Sequence, residues 1–218
     1  ISLVNHLAHL LLSGNNDQCL LGGFLGDFVK GLQTGVRPAA IEQGISLHRA
    51  IDAYTDQHPT VTACRLALPK DLRRVSGIVT DIAFDHFLAK TFTHYHPQSL
   101  QRFDRLAFER LLKPEHIDFF PEQALLTCRR MRDFKSLLRT QDEDFIDRSL
   151  IHIGRRLRSG EQFFNSETLP RITSALPFIE ASFPEFFACL QGFVDNWLTH
   201  YDPATRAVIR GKTQRMKE

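Results

Sequence analysis

The stretch IEQGISLHRAIDAYTD, residues 41–56, decides how the rest of the chain is read. Ile41, Ile45, His48, Asp52 and Thr55 recur three or four apart, so at 3.6 residues per turn they form one stripe of a helix. Asp56 follows Asp52 by one more turn. The stripe begins apolar, as a packing face should, and then carries an imidazole and carboxylates on that same face. A second stretch, GIVTDIAFDHFLA at residues 77–89, repeats the conflict. There Ile78, Ile82, Asp85 and Ala89 share a stripe, Asp81 precedes Asp85 by one turn, and His86 is rotated about 100° from Asp85. A third acid, Asp27, sits among Phe24, Leu25 and Phe28 in GGFLGDFVKG, residues 22–31. Carboxylates on faces expected to be buried need a cation or hydrogen-bond donors. A hard metal ion held by carboxylate and imidazole would supply the first.

Working outward, the periodicity is helical nearly throughout. A first helix is expected over residues 2–13, ending at Gly14-Asn15, with His6 and His9 three apart on one face. His9 follows the apolar stripe and is the stronger candidate for a ligand or its support. Asn16 or Asp17 can cap a second helix reaching Gly31. Pro38 opens a third, running to about His58 before Pro59. A short helix is expected over 61–67, and a long one from Pro69 or Asp71 to about Phe92. After a loop at His94–Pro97, helices are expected at 98–112, 121–138, 142–158, 161–181 and from Pro184 to about Tyr201. Asp202-Pro203 should interrupt the last, and residues 204–210 add a further turn or two. No period-two alternation appears. The expectation is an all-α bundle of about eight to ten helices, one domain over 1–218, with the site inside 1–92.

Composition excludes several alternatives. A length of 218 residues, 43% hydrophobic and 24% charged, suits one globular domain with a substantial core, and the 18 Phe are expected to build it. Cys19, Cys64, Cys128 and Cys189 form no Cys-x-x-Cys pair, which excludes zinc ribbons and thioredoxin-type redox chemistry. Dispersed cysteines and the lack of a visible leader or membrane-length apolar run lead us to expect a cytoplasmic protein. Net charge is +2, yet nine Lys/Arg stand against five Asp/Glu from Arg129 to Arg158, and the tail from Arg206 is basic. Helices within 121–210 are therefore candidates to meet an acidic macromolecule. No nucleic-acid motif accompanies the charge, so nucleic acid is not the expected partner.

Within the site, His48 and Asp52 can hold one ion together, or Asp52 can support His48. Asp56 and Asp81 are weaker members, because each can be accounted for by an arginine partner. Arg49, Arg73 and Arg74 are the guanidinium groups nearest in sequence, and planar guanidinium suits phosphate oxygens. The three glycines at 22, 23 and 26 each cost a helix about 1 kcal/mol relative to Ala, which points to close packing or to room for a ligand. They do not form a phosphate loop, since no strand precedes them and no Gly-Lys-Ser/Thr follows. His-Glu-x-x-His, Gly-x-Ser-x-Gly and the Glu-x-x-His of di-iron bundles are absent. His58, His94, His96, His116, His152 and His200 lack matched partners and default to structural or surface roles.

Four segments occur in order: Asn5-His6-Leu7-Ala8-His9-Leu10; Gly26-Asp27-Phe28-Val29-Lys30-Gly31; His48-Arg49-Ala50-Ile51-Asp52 with Thr55-Asp56; and Asp81-x3-Asp85-His86-Phe87-Leu88. Together they resemble the acyl carrier protein phosphodiesterase family, densely over residues 4–92 and diffusely beyond. The resemblance implies a helical fold distantly related to HD-domain phosphohydrolases. It implies release of 4′-phosphopantetheine from holo-acyl carrier protein, with manganese, or else magnesium or another divalent ion, as cofactor. Asp27, His48, Asp52, Asp81, Asp85 and His86 match the family's acidic and histidine positions, and His9 matches its Ala-His. His6 stands where the family more often has an aromatic residue, and the HD pair appears only reversed, as Asp85-His86. The reading that follows makes His9, Asp27, His48, Asp52, Asp85 and His86 metal ligands, with His48, His86 and Asp52 doing the chemistry and Arg49, Arg73 and Arg74 on the phosphate. A histidine that is not a ligand, His86 or His48, would be the general acid. Two other readings carry their own tests. An HD-like hydrolase of nucleotides or small phosphoesters would not need a carrier protein. A non-catalytic helical module for an acidic protein would bind no metal.

Overall fold

A computed structural model describes residues 6–31 and 35–201; the start of the first expected helix at 2–5, the expected interruption at Asp202-Pro203, the turns at 204–210 and the basic tail lie outside them. Among the described residues there is no strand, and the all-α, single-domain expectation holds. The helices are α1 (His6–Leu12), α2 (Asp17–Leu25), α3 (Ala39–Gln57), α4 (Pro59–Ala67), α5 (Ser76–Lys90), α6 (Leu100–Leu111), α7 (Glu122–Asp133), α8 (Ser136–Arg139), α9 (Phe145–Gly154), α10 (Leu169–Thr173) and α11 (Leu176–Thr199). Short 3-10 turns cover Lys70–Val75, Phe92–His94, Pro114–Phe119 and Gly160–Gln162.

The buried helix α5 is the hub, packed against α1, α4, α9 and α11. Phe84 stacks on Phe186 at 4.9 Å and meets Phe183 at 5.6 Å, so the phenylalanines of α11 seal the hub from one side. The closest crossing is α2 on α3. A Cβ on Gly22 would overlap the carbonyl of Ile41 and approach the Cα of Gly44 to 2.8 Å; a Cβ on Gly44 would overlap the carbonyl of Cys19. The two glycines face each other and let the helix backbones touch. No helix among the described residues is long and apolar enough to cross a membrane, and all four cysteines are free thiols.

Five boundaries differ from the sequence expectation. Helix α2 stops at Leu25 rather than Gly31; Leu25 accepts from the amides of both Phe28 and Val29, and Arg49 Nη2 donates to Val29 O at 2.7 Å, fixing the turn that carries Asp27. The expected long helix from Pro69 begins as the 3-10 turn and becomes α-helical only at Ser76. The expected helix 121–138 breaks at Lys135, which takes φ 50°, and Asp104 of α6 accepts the amide of Leu138 at 3.2 Å to start α8. The expected helix 161–181 is interrupted because Asn165 Oδ1 accepts the amides of Glu167 and Thr168, while Thr168 Oγ1 accepts that of Asn165; such bonds compete with the helix ladder. Pro184 does not begin a helix but lies inside α11. It is on the solvent side, where the carbonyl left without an N–H partner meets water, and the opposite face is buried through Ile179, Phe183, Phe186 and Leu190.

Candidate metal centre

Three helix segments converge on one point: α1, the end of α2, and α3. His9 Nε2 lies 3.1 Å from Asp52 Oδ1, and His48 Nε2 lies 3.3 Å from Asp52 Oδ2. The two imidazoles stack, centroids 3.8 Å apart at 16°. Their ligand atoms all fall within 4.8 Å of one another, the one such group of three among the described residues. Asp27 stands behind, with Oδ1 3.7 Å from His48 Nε2 and Oδ2 3.6 Å from His6 Nδ1.

Each side chain is held by something local. His48 Nδ1 meets the carbonyl of Gly23 at 2.8 Å. That oxygen can only accept, so Nδ1 carries the hydrogen and Nε2 presents its lone pair to the cluster, or a second proton when the ring is charged. Gly26 makes room for the ring, since a Cβ there would overlap the imidazole. The glycines at 22, 23 and 26 are thus accounted for by packing and by space for His48. Asp85 does not join the cluster: its two oxygens accept the amides of Leu7 and Ala8, each at 3.0 Å. These are among the orphan donors of the first turn of α1. Asp85 therefore holds the helix that carries His6 and His9. Asp85→Ala is expected to lower stability by roughly 3 kcal/mol, because two buried amides lose their acceptor. Asp85→Asn should lose about half of that, with one carbonyl oxygen kept. Urea denaturation midpoints of the two variants check the ordering.

The remaining predicted residues lie around this point. Asp52 is not buried as its stripe suggests: its side chain is 52% exposed, at the mouth of the cluster, while His48 and His9 are buried. His86 sits elsewhere, its Nδ1 2.8 Å from the carbonyl of Thr140 and its ring stacked at 6.2 Å on Phe145. Asp56 is exposed and paired with Arg65 at 2.7 Å. Asp81 is half-buried and feels Arg65, Asp52 and Asp56. Arg49 ties down Val29, and Arg73 donates to the carbonyls of Leu66 and Leu68, so both have structural work. Arg74 lines a cleft with Arg158 and Phe163. Sequence reasoning undervalued His6, which stacks on Phe24 at 5.6 Å and faces Asp27, and it overlooked Arg65. The signal for His6 was its three-residue spacing from His9.

Electrostatics prepare the donors. Burial depresses His9 to about 4, with the neighbouring His48 adding to the effect, so its ring is neutral at pH 7. Burial also lowers His6 to about 3, helped by His9 and His48. Burial would raise Asp52, but hydrogen bonds from His48 and His9 overcome it and keep the carboxylate ionised. Burial lifts Asp27 to about 6. His9 Nδ1, His6 Nε2 and Asp27 Oδ2 are buried without a hydrogen-bond partner. An ionised carboxylate addressed by two imidazole nitrogens, with the Asp27 carboxyl beside it, suits a divalent cation. The spacing agrees, because neighbouring ligands of an octahedral ion at 2.0–2.1 Å stand about 3 Å apart.

A helical protein with a buried histidine–carboxylate centre at the meeting of α1, α2 and α3 is the class that fold and site define. The family model for acyl carrier protein phosphodiesterase matches residues 4–190, and the chain belongs to that family. Proteins named acyl carrier protein phosphodiesterase are similar to it over shorter stretches. The one from Serratia proteamaculans is 40% identical over 110 residues, 50% of this chain and 57% of that relative. The one from Yersinia pestis is 46% identical over 87 residues, 40% and 45% respectively, and the one from Photorhabdus laumondii 37% over 121, 55% and 60%. The chain spans about half the length of the curated relatives it matches. No solved structure matches it.

Proposed function

We propose that the chain is a metal-dependent phosphodiesterase that converts holo-acyl carrier protein to the apo form and 4′-phosphopantetheine. The convergence of His9, His48 and Asp52, in a chain of this family, is the observation that carries the reading. These three, with Asp27 beside them, would hold a divalent ion, for which manganese is our assignment. Bound there, such an ion neutralises charge on the phosphoryl oxygens and lowers the pKa of a water. His48 serves as a ligand through Nε2, the nitrogen that faces Asp52 while Nδ1–H is held by Gly23. Burial would lower the pKa of the ring but Asp52 raises it, so the ion would take the place of the Nε2 proton. Asp52, open to solvent on one side, marks where a protein-borne phosphodiester would approach.

The leaving serine oxygen of the carrier needs a proton, and Asp81, on α5 and within electrostatic reach of Asp52, is the carboxyl group we assign to give it. Burial, opposed by Arg65 and reinforced by Asp52, lifts it to about 7. An acid must be protonated to act, so kcat/KM should fall as pH rises through about 7. In Asp81→Asn that alkaline limb should disappear from a lowered profile. An unchanged limb would remove Asp81 from the role.

The reaction is tested by mass spectrometry of holo-carrier protein incubated with the enzyme and Mn²⁺. Loss of one phosphopantetheinyl group from the carrier is the expected result. A carrier of unchanged mass with manganese, magnesium and other divalent ions would refute the assignment.

A further inference from the structure

Behind the cluster, on the far side of His6, the molecule is hollow. A cavity of about 100 Å³ reaches His6 and Asp85 and is walled by Ile82, Met131, Leu137, Phe145 and Ile153. Outside it lies a cleft of about 430 Å³ that opens to solvent past Arg139, Arg148 and His152. Ser136, Phe145, Ser149 and Ile153 line both, so the two adjoin. His6 is 6% exposed; its Nδ1 faces Asp27, and its other nitrogen is buried without a partner. The His6 imidazole thus borders both the metal centre and the inner cavity.

We infer that the two cavities form one channel that binds a slender, amide-bearing chain, with His6 at its inner end. The inner volume lies far below the 300–1,000 Å³ of ordinary small-molecule pockets, so it admits a thin segment and not a nucleoside. The walls are apolar, yet Ser136, Thr140 and Ser149 interrupt them with polar residues, as a chain of methylenes and amides requires. The mouth does not invite a polyanion, because Asp142 and Asp144 pair with Arg148, and Asp142 also with Arg139. His86 takes a positioning role: it binds the carbonyl of Thr140 and stacks on Phe145, two residues of the inner wall. For its ligand this inference rests on the proposed reaction, in which the chain that stays on the phosphate when the serine oxygen leaves is the pantetheine arm. The walls stand independently of it.

Pantetheine, which lacks the phosphate, is the probe, titrated into the full chain without metal and followed by NMR. Wild type and Ser149→Ala should bind, with perturbed His6 resonances. Ser149→Phe plugs the throat and should weaken binding by about tenfold or more, or 1.4 kcal/mol per decade. Its KM for holo-carrier protein should rise in parallel while its melting temperature shows a folded chain. Equal binding by Ser149→Phe, no binding by wild type, or binding of decanoate in place of pantetheine would overturn the channel. If Ser149→Phe does not fold, Ile153→Phe, on the same walls, takes its place. Failure of wild type to convert holo-carrier protein, with the pantetheine results intact, would defeat the reaction and leave the channel standing.

Discussion

Asp52→Ala is expected to abolish both manganese binding and holo-carrier hydrolysis. Asp52 is the group that both imidazoles address, His9 at 3.1 Å and His48 at 3.3 Å. Losing even a supporting partner of a metal ligand typically costs about 10–100-fold in affinity or activity, and losing the central carboxylate should exceed that range. The side chain is half exposed, so the fold should survive; this separates the variant from a structural lesion. Isothermal titration with Mn²⁺ beside the mass assay reads both losses. Retained metal binding with lost turnover would make Asp52 a catalytic group only, and retention of both would place the centre elsewhere.

Like Gly44→Ala on the facing helix, Gly22→Ala is expected to be strongly destabilising. The added Cβ meets backbone on α3, the carbonyl of Ile41 and the Cα of Gly44, not a side chain that can swing aside. Helices α2 and α3 would have to separate, at a cost of about 3 kcal/mol, the upper end of ordinary overpacking. For a chain of this size the melting temperature should drop by roughly 6–12 °C. The same movement draws the Gly23 carbonyl away from His48, so metal affinity should fall with stability. Gly31→Ala is a useful contrast. Gly31 has φ +76° and open space around it, so its substitution costs backbone strain without moving His48.

The helices were legible because apolar residues keep one period for long runs, and the stripes on α3 and α5 announced polar groups out of place. The spacing that singled out His9, His48 and Asp52 picks residues that the fold brings together. What spacing could not resolve was which conflict each acid settles. Asp52 and Asp85 look alike in sequence, each a carboxylate on an apolar stripe. One faces two imidazoles, and the other binds amides 77 and 78 residues away. That difference is set by which helix packs opposite, a tertiary fact. His86 is a similar case: its stripe does not reveal that Thr140 and Phe145 lie against it. The misread helix boundaries have the same origin. Asp104 starting α8 and the Asn165–Thr168 bonds act through side chains that a periodicity reading treats as surface.

Anomalous diffraction from crystals grown with Mn²⁺ tests the metal centre most directly. A peak bounded by His9 Nε2, His48 Nε2 and Asp52, with Asp27 alongside, is the predicted result, and it should vanish in Asp52→Ala crystals. A peak at Asp85 or His86, or no peak at all in crystals that retain hydrolytic activity, would contradict the account.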